Sequence, residues 1–333
     1  MNSEDRTAAV PDWFRRAIAT PCESRFVEVS GCSIHYLRWG EAHNPGLLLL
    51  PGSGGHAHWF SHVAPLFADQ FHVVSMDIAG CGDSGRRDVY THDLIAAEIM
   101  AVCADSGMLS SPLPPILAGH SVGGQHVVRT AMIHGGSLLG VLAIDGLRYA
   151  ELPDDPAVKA LKGRRPAPAP ARIYPDYDSA IARFRLFPAP ANGIQNTYVL
   201  DHIARHSVCQ VEGGWGWKFD TALASVASLG LELKDALRDL PCHAAAVYGE
   251  NTHLAGDPLL SSMAAATNGE VPVFTIPGTS HYPMIDSPLA FVSAIKGVGL
   301  TWAAIARRSR RRRAGAARRT RRLLSVRDST NLA

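Results

Sequence analysis

The sequence predicts an α/β protein: a mostly parallel eight-stranded sheet flanked by helices, with a mainly helical cap inserted after the sixth strand. Three observations carry this. Short apolar runs end at turn residues, as strands buried on both faces do. Helical stretches separate successive runs, the mark of parallel crossovers. The alternation then stops across residues 147–240, where eight prolines fall. A stretch so rich in proline cannot supply central strands, so it reads as an insertion above the strand ends.

Residues 1–24 are a polar lead-in with room for one short helix. Residues 26–29 and 33–39 alternate apolar and polar side chains around Gly31, which predicts a half-exposed hairpin. Leu47–Leu50, Phe71–Met76, Ile116–Ala118 and Leu139–Ile144 are the buried strands, with helices predicted over 57–68, 92–107 and 123–134. Helical pieces are expected in the insertion at 176–187 and 197–207. Strands resume at Ala244–Gly249 and Val271–Pro277, and a helix over 288–305 closes the body. The expected division is a core of 25–146 and 241–306, a cap of 147–240 and a tail of 307–333.

The net charge of +2 conceals an asymmetry. From Arg307 to Ala333 there are eleven arginines and one acid, Asp328. The tail therefore carries +10 and the rest of the chain −8. Arginine outnumbers lysine 27 to 5 throughout, so the run is read as a solvated, disordered extension, not as a specific nucleic-acid site. The six cysteines form no C-x-x-C pair, which disfavours a zinc ribbon or a disulfide framework. No signal peptide is read at the N-terminus, and no uninterrupted apolar run reaches the roughly 20 residues of a membrane span. A cytoplasmic protein is the expectation.

The strongest chemical signal is Gly119-His-Ser-Val-Gly-Gly124, between a predicted strand and a predicted helix. A sharp strand-to-helix turn needs small flanking residues and leaves Ser121 exposed above the sheet. The N–H of Val122 then opens a helix, where an oxyanion is stabilised.

With this motif the sequence resembles the α/β-hydrolase superfamily, in its serine-nucleophile branch with a cap. Asp77-Ile-Ala-Gly-Cys-Gly-Asp-Ser84 is similar to that family's D-x-x-G-x-G-x-S loop. Leu50-Pro-Gly-Ser-Gly-Gly55 stands where the family has its oxyanion loop, with Pro51 in place of the usual histidine. By position Ser53 supplies the second donor, with Gly54 as the alternative. His281 follows the last strand, where the family places its catalytic base.

The resemblance leaves the acid open. The family usually carries an aspartate just after the seventh strand, and this chain has Thr252 there. Asp145, at the end of the sixth strand, is favoured, because certain dehalogenases and cofactor-independent dioxygenases of the family place their acid there. Glu250 and Asp257 are the alternatives.

Trp59, Trp215 and Trp217 are candidate pocket walls. His120 reads as packing beside the nucleophile and is also a candidate pocket residue. His56, His58 and His62 suggest a metal, but no acid or cysteine nearby completes a ligand set. No metal or other cofactor is expected. The expected activity is hydrolysis of a carboxylic ester or thioester with an apolar portion, through an acyl-enzyme. A serine nucleophile disfavours the dehalogenase and epoxide hydrolase branches, which use aspartate. A carbon–carbon bond hydrolase, a cofactor-independent dioxygenase and a non-catalytic ligand binder are the alternatives.

Overall fold

A computed structural model describes residues 10–146, 172–190, 193, 196–225, 236–252, 267 and 269–330. Its core is one eight-stranded sheet. The strands are β1 (Glu23–Val29), β2 (Cys32–Trp39), β3 (Gly46–Leu50), β4 (His72–Met76), β5 (Ile116–His120), β6 (Gly140–Ile144), β9 (His243–Gly249) and β10 (Val273–Ile276). Their order is β1-β2-β4-β3-β5-β6-β9-β10. Only the pairs β1–β2 and β2–β4 are antiparallel.

Every residue of β3, β4, β5 and β6 is buried. Alternate side chains enter opposite layers, as the pleat requires. Leu47, Leu49, Val73 and Ile116 join one layer with Phe60, Phe67, Phe291 and Trp302. Leu48, Leu50, Val74 and Leu117 join the other with Ile95, Ile99, Val127 and Val128.

The first layer is covered by α1 (Asp12–Ala19) and by α7 (Pro288–Thr330), which follows the short α6 (Pro283–Asp286). The second is covered by α2 (His92–Asp105) and α3 (Val122–His134). The segment 57–68 is not the single helix its composition predicts. It forms two 3-10 turns, Ala57–Trp59 and Ala64–Phe67. Pro65 lacks an N–H donor, and Asp77 Oδ1 captures the Ala57 amide at 2.5 Å.

The chain inserted after β6 supplies α4 (Tyr177–Ile181), α5 (Thr197–His206) and a hairpin of β7 (Val208–Val211) and β8 (Gly214–Trp217). Its exit is tied to the loop after β4. Gly82 N donates to Lys218 O at 2.7 Å, Asp220 N donates to Gly80 O at 2.7 Å, and Tyr90 Oη donates to Asp220 at 2.7 Å.

One expectation is overturned at the C-terminus. The closing helix does not end near residue 305, and the tail is not extended coil: α7 continues to Thr330. Arginine and alanine are both strong helix formers, and no proline interrupts the run. Its Pro288–Arg313 part is long and apolar enough to cross a membrane. Phe291, Ile295 and Trp302 on that part are nevertheless buried in the core.

Candidate active site

Ser121 sits between β5 and α3 with φ 52° and ψ −123°. An L-residue holds this backbone at a cost of about 1–3 kcal/mol, and only where the surroundings enforce it. The surroundings do so here. A Cβ at Gly119 would strike the backbone of Gly123, and one at Gly123 would strike the Pro51 carbonyl. The Ser121 amide is held by the Ile144 carbonyl at 2.8 Å. Ser121 is thus raised out of the sheet at the helix N-terminus.

His281 lies in the loop between β10 and α6. Its Nε2 is 3.0 Å from Ser121 Oγ, and its Nδ1 is 2.7 Å from Asp145 Oδ1. A carboxylate only accepts, so Nδ1 carries the proton and Nε2 presents its lone pair to the serine hydroxyl. The loop is fixed from two sides. Asp286 accepts from the Ser280 amide at 2.7 Å and from its hydroxyl at 2.6 Å. His120 Nε2 donates to the His281 carbonyl at 2.7 Å. Burial, reinforced by the neighbouring His281, lowers His120 to about 3, so its ring is a neutral prop.

Asp145 ends β6 with φ 46° and is fully buried. Besides His281, it accepts from Gly249 N at 2.9 Å and from Thr252 Oγ1 at 2.6 Å. Thr252 therefore orients the carboxylate from the position where an acid was expected. Gly249 is needed at its place, because a Cβ there would strike the Ser280 carbonyl in the histidine loop. Glu250 points elsewhere: it is exposed and accepts from Gly278 N at 2.8 Å. Asp257 lies outside the described residues.

The cavity above Ser121 has a volume of about 560 Å³. Gly52, Ser53 and Gly54 border it beside Ser121, and Trp59, Phe184, Trp217 and Phe219 form aromatic walls. Burial pushes the nearby Cys81 thiol far up. The Trp59 indole N–H is buried with no acceptor among the described residues. His120 also borders the cavity. Trp215 does not. It packs inside the cap on Tyr177, with ring centroids 5.0 Å apart. Trp217 is two residues nearer the point where the chain rejoins the core, and so reaches the cavity.

A second Ser–His–Asp array exists and was not anticipated from the sequence. Ser24 Oγ is 2.9 Å from His35 Nε2, and His35 Nδ1 is 2.7 Å from Asp77. It has no comparable setting. Ser24 is on the exposed edge strand, away from the cavity, and Asp77 also accepts the amides of Ala57 and Asp83. This array ties loops to the sheet. Hydrogen-bond order alone thus does not distinguish the two serines; of the two, Ser121 has the strained turn, the helix N-terminus and the cavity.

A fluoroacetate dehalogenase of Burkholderia sp is 32% identical over 126 residues, 37% of this chain and 40% of that protein. The chain thus matches less than half of that relative's length. The thioesterase domain from the curacin biosynthetic pathway superposes with a TM-score of 0.67 at 21% identity, covering 83% of this chain and 99% of that one. An E-2-(acetamidomethylene)succinate hydrolase does so with a TM-score of 0.68 at 24% identity, covering 83% and 98%. These two likenesses speak for the fold. The model of the alpha/beta hydrolase family matches residues 47–295. With that match over most of its length, a sheet of this order and an insertion after β6, the chain belongs to the alpha/beta hydrolase family.

Proposed function

We propose that this protein is a serine hydrolase that cleaves a carboxylic ester or thioester with an apolar portion. The carrying observation is the continuous relay from Ser121 through His281 to Asp145, with a strained serine facing an aromatic cavity.

The chemistry follows from the protonation states. His281 Nε2 takes the Ser121 proton as Oγ attacks the carbonyl carbon. The negative charge on the former carbonyl oxygen meets the N–H groups of Val122 and Ser53, each such donor contributing about 10²–10³ in rate. Asp145 stabilises the imidazolium that forms. His281 then protonates the departing alcohol or thiol. Water, activated by the same imidazole, releases the acid from the acyl-enzyme.

Dehalogenation or epoxide opening through Ser121 is disfavoured on chemical grounds. Displacement at an alkyl carbon would leave an ether on Ser121, which offers water no carbonyl to attack. The case for a non-catalytic binder rests on the absent acid after β9, and the 2.7 Å contact between Asp145 and His281 weighs against it.

The test is fluorophosphonate labelling with a nitrophenyl-ester panel of increasing chain length. Wild type should label at Ser121 and turn over acyl esters, and Ser121→Ala should do neither. Turnover that survives in Ser121→Ala would overturn the proposal.

A further inference from the structure

We propose that His58, His202 and His206 form a binding site for a divalent transition ion of the zinc class, which latches the cap to the core. One donor nitrogen from each ring lies within 4.8 Å of the other two. A tetrahedral zinc with bonds of about 2.0–2.1 Å sets its nitrogen ligands roughly 3.4 Å apart, so the set is completed by the rings closing and one of the stacked pair rotating.

The three histidines come from two parts of the chain. His58 is on the 3-10 turn that follows the oxyanion loop. His202 and His206 are one turn apart on α5 of the inserted segment, so both project from one helix face. The rings are half-buried, open enough to admit an ion and shielded enough to hold it.

The surrounding hydrogen bonds suit ligation. His206 Nδ1 donates to the His202 carbonyl at 2.8 Å, which fixes the tautomer and leaves Nε2 with its lone pair. Ser61 Oγ contacts His202 Nε2 at 2.8 Å and His58 Nδ1 at 3.3 Å, holding those rings together. The His58 and His206 rings stack with centroids 3.8 Å apart and 19° between their planes, so one ring must rotate before both in-plane lone pairs meet an ion. Three imidazole nitrogen ligands suit zinc, cobalt or nickel better than calcium or magnesium, which take oxygen ligands.

The other histidines of this sequence region are not part of the set. His56 contacts Ser207 at 2.8 Å, and His62 donates to the Met284 carbonyl at 2.9 Å. The second cluster, His35 with Asp77 and Asp83, is a weaker candidate: Asp77 already accepts backbone amides and Asp83 pairs with Lys218.

The consequence is mechanical. Trp59, next to His58, walls the cavity, and Ser207, next to His206, borders it. An ion on these histidines fastens α5 to the turn that carries Trp59 and so holds the cavity closed on that side. The proposal is independent of the Ser121 chemistry, and its primary readout is binding.

The test uses the full chain, freed of metal by a chelator and titrated with zinc chloride by calorimetry. Wild type should bind one equivalent at micromolar or tighter Kd. His202→Ala/His206→Ala should bind at least 30-fold more weakly, with its metal-free Tm establishing that it folds. His206→Cys should retain binding within about tenfold, and with cobalt should gain a sulfur charge-transfer band. Zinc should slow amide exchange over residues 197–206 in wild type. Equal affinity in wild type and the double variant, or no binding at 100 μM zinc, would overturn the site. Bound zinc that leaves exchange over α5 unchanged would overturn the latch.

Discussion

Replacing Asp145 by asparagine should disable the enzyme without removing any volume. The carboxylate accepts three hydrogen bonds: from His281 Nδ1 at 2.7 Å, Gly249 N at 2.9 Å and Thr252 Oγ1 at 2.6 Å. Asparagine brings an NH₂ group that must face one of these donors. If it faces His281, Nδ1 becomes an acceptor and the proton moves to Nε2, which can then no longer take the Ser121 proton. If it faces Gly249, a buried donor meets a donor. In either case the imidazolium loses its counter-charge. An exchange of this kind in a triad costs about 10⁴ in kcat, and about 10³–10⁴ is expected here, some 4–5.5 kcal/mol of barrier. The assay is kcat on a short-chain nitrophenyl ester across pH 6–9, with Tm measured on the same samples. Glu250→Ala and Asp257→Ala serve as comparators and should stay within about threefold of wild type. Near-wild-type kcat in Asp145→Asn, or a comparable loss in either comparator, would refute the assignment of the acid.

Thr252→Val keeps shape but deletes a hydrogen bond to a buried carboxylate, so stability should fall by about 1.5–3 kcal/mol with kcat reduced about tenfold; thermal unfolding and initial rates check both. Folding stability should also fall on acidification below pH 6.5. His62, His120 and His126 are lowered by burial to about 4, 3 and 3, so the unfolded chain binds protons that the native chain refuses. Each group therefore removes up to about 1.4 kcal/mol per pH unit between its unfolded and folded values, and Tm should be constant above pH 7.5 and drop steeply from 6.5 to 5; a flat profile would exclude neutral buried rings. Removing residues 314–333 should leave kcat/KM within twofold, because every group of the proposed relay lies between Ser53 and His281; steady-state kinetics on the truncated chain tests this.

The sheet was legible because strands buried on both faces read as unbroken apolar runs, and the elbow because small residues crowd one serine. The departures have physical causes. Composition over 57–68 suits a helix, but the Asp77 carboxylate and Pro65 divert the chain into two short turns. Charge in the tail suggested coil, whereas helix propensity follows the side-chain stem more than the charge. His202 and His206 gave no signal as partners of His58, since a contact across some 140 residues leaves no trace in local spacing.

Strand order accounts for how Asp145 can serve as the proposed acid. β6 and β9 are adjacent parallel strands, paired from Gly140 with His243 to Ile144 with Val247. Neighbouring strands lie about 4.8 Å apart, so a carboxylate leaving the end of either one reaches the same imidazole above the sheet edge. Moving the acid from β9 to β6 therefore preserves the relay, provided that the vacated position does not leave the carboxylate poorly held. Thr252 meets that condition by turning a position that elsewhere carries the acid into a hydrogen-bond donor to it. In the proposed relay Asp145 and Thr252 act as one unit, and Asp145→Thr combined with Thr252→Asp tests this. If sheet geometry governs, the double exchange should recover at least tenfold of the activity lost in Asp145→Thr alone. No recovery in a folded double variant would mean that the left-handed backbone at Asp145, and not strand adjacency, sets the acid's place.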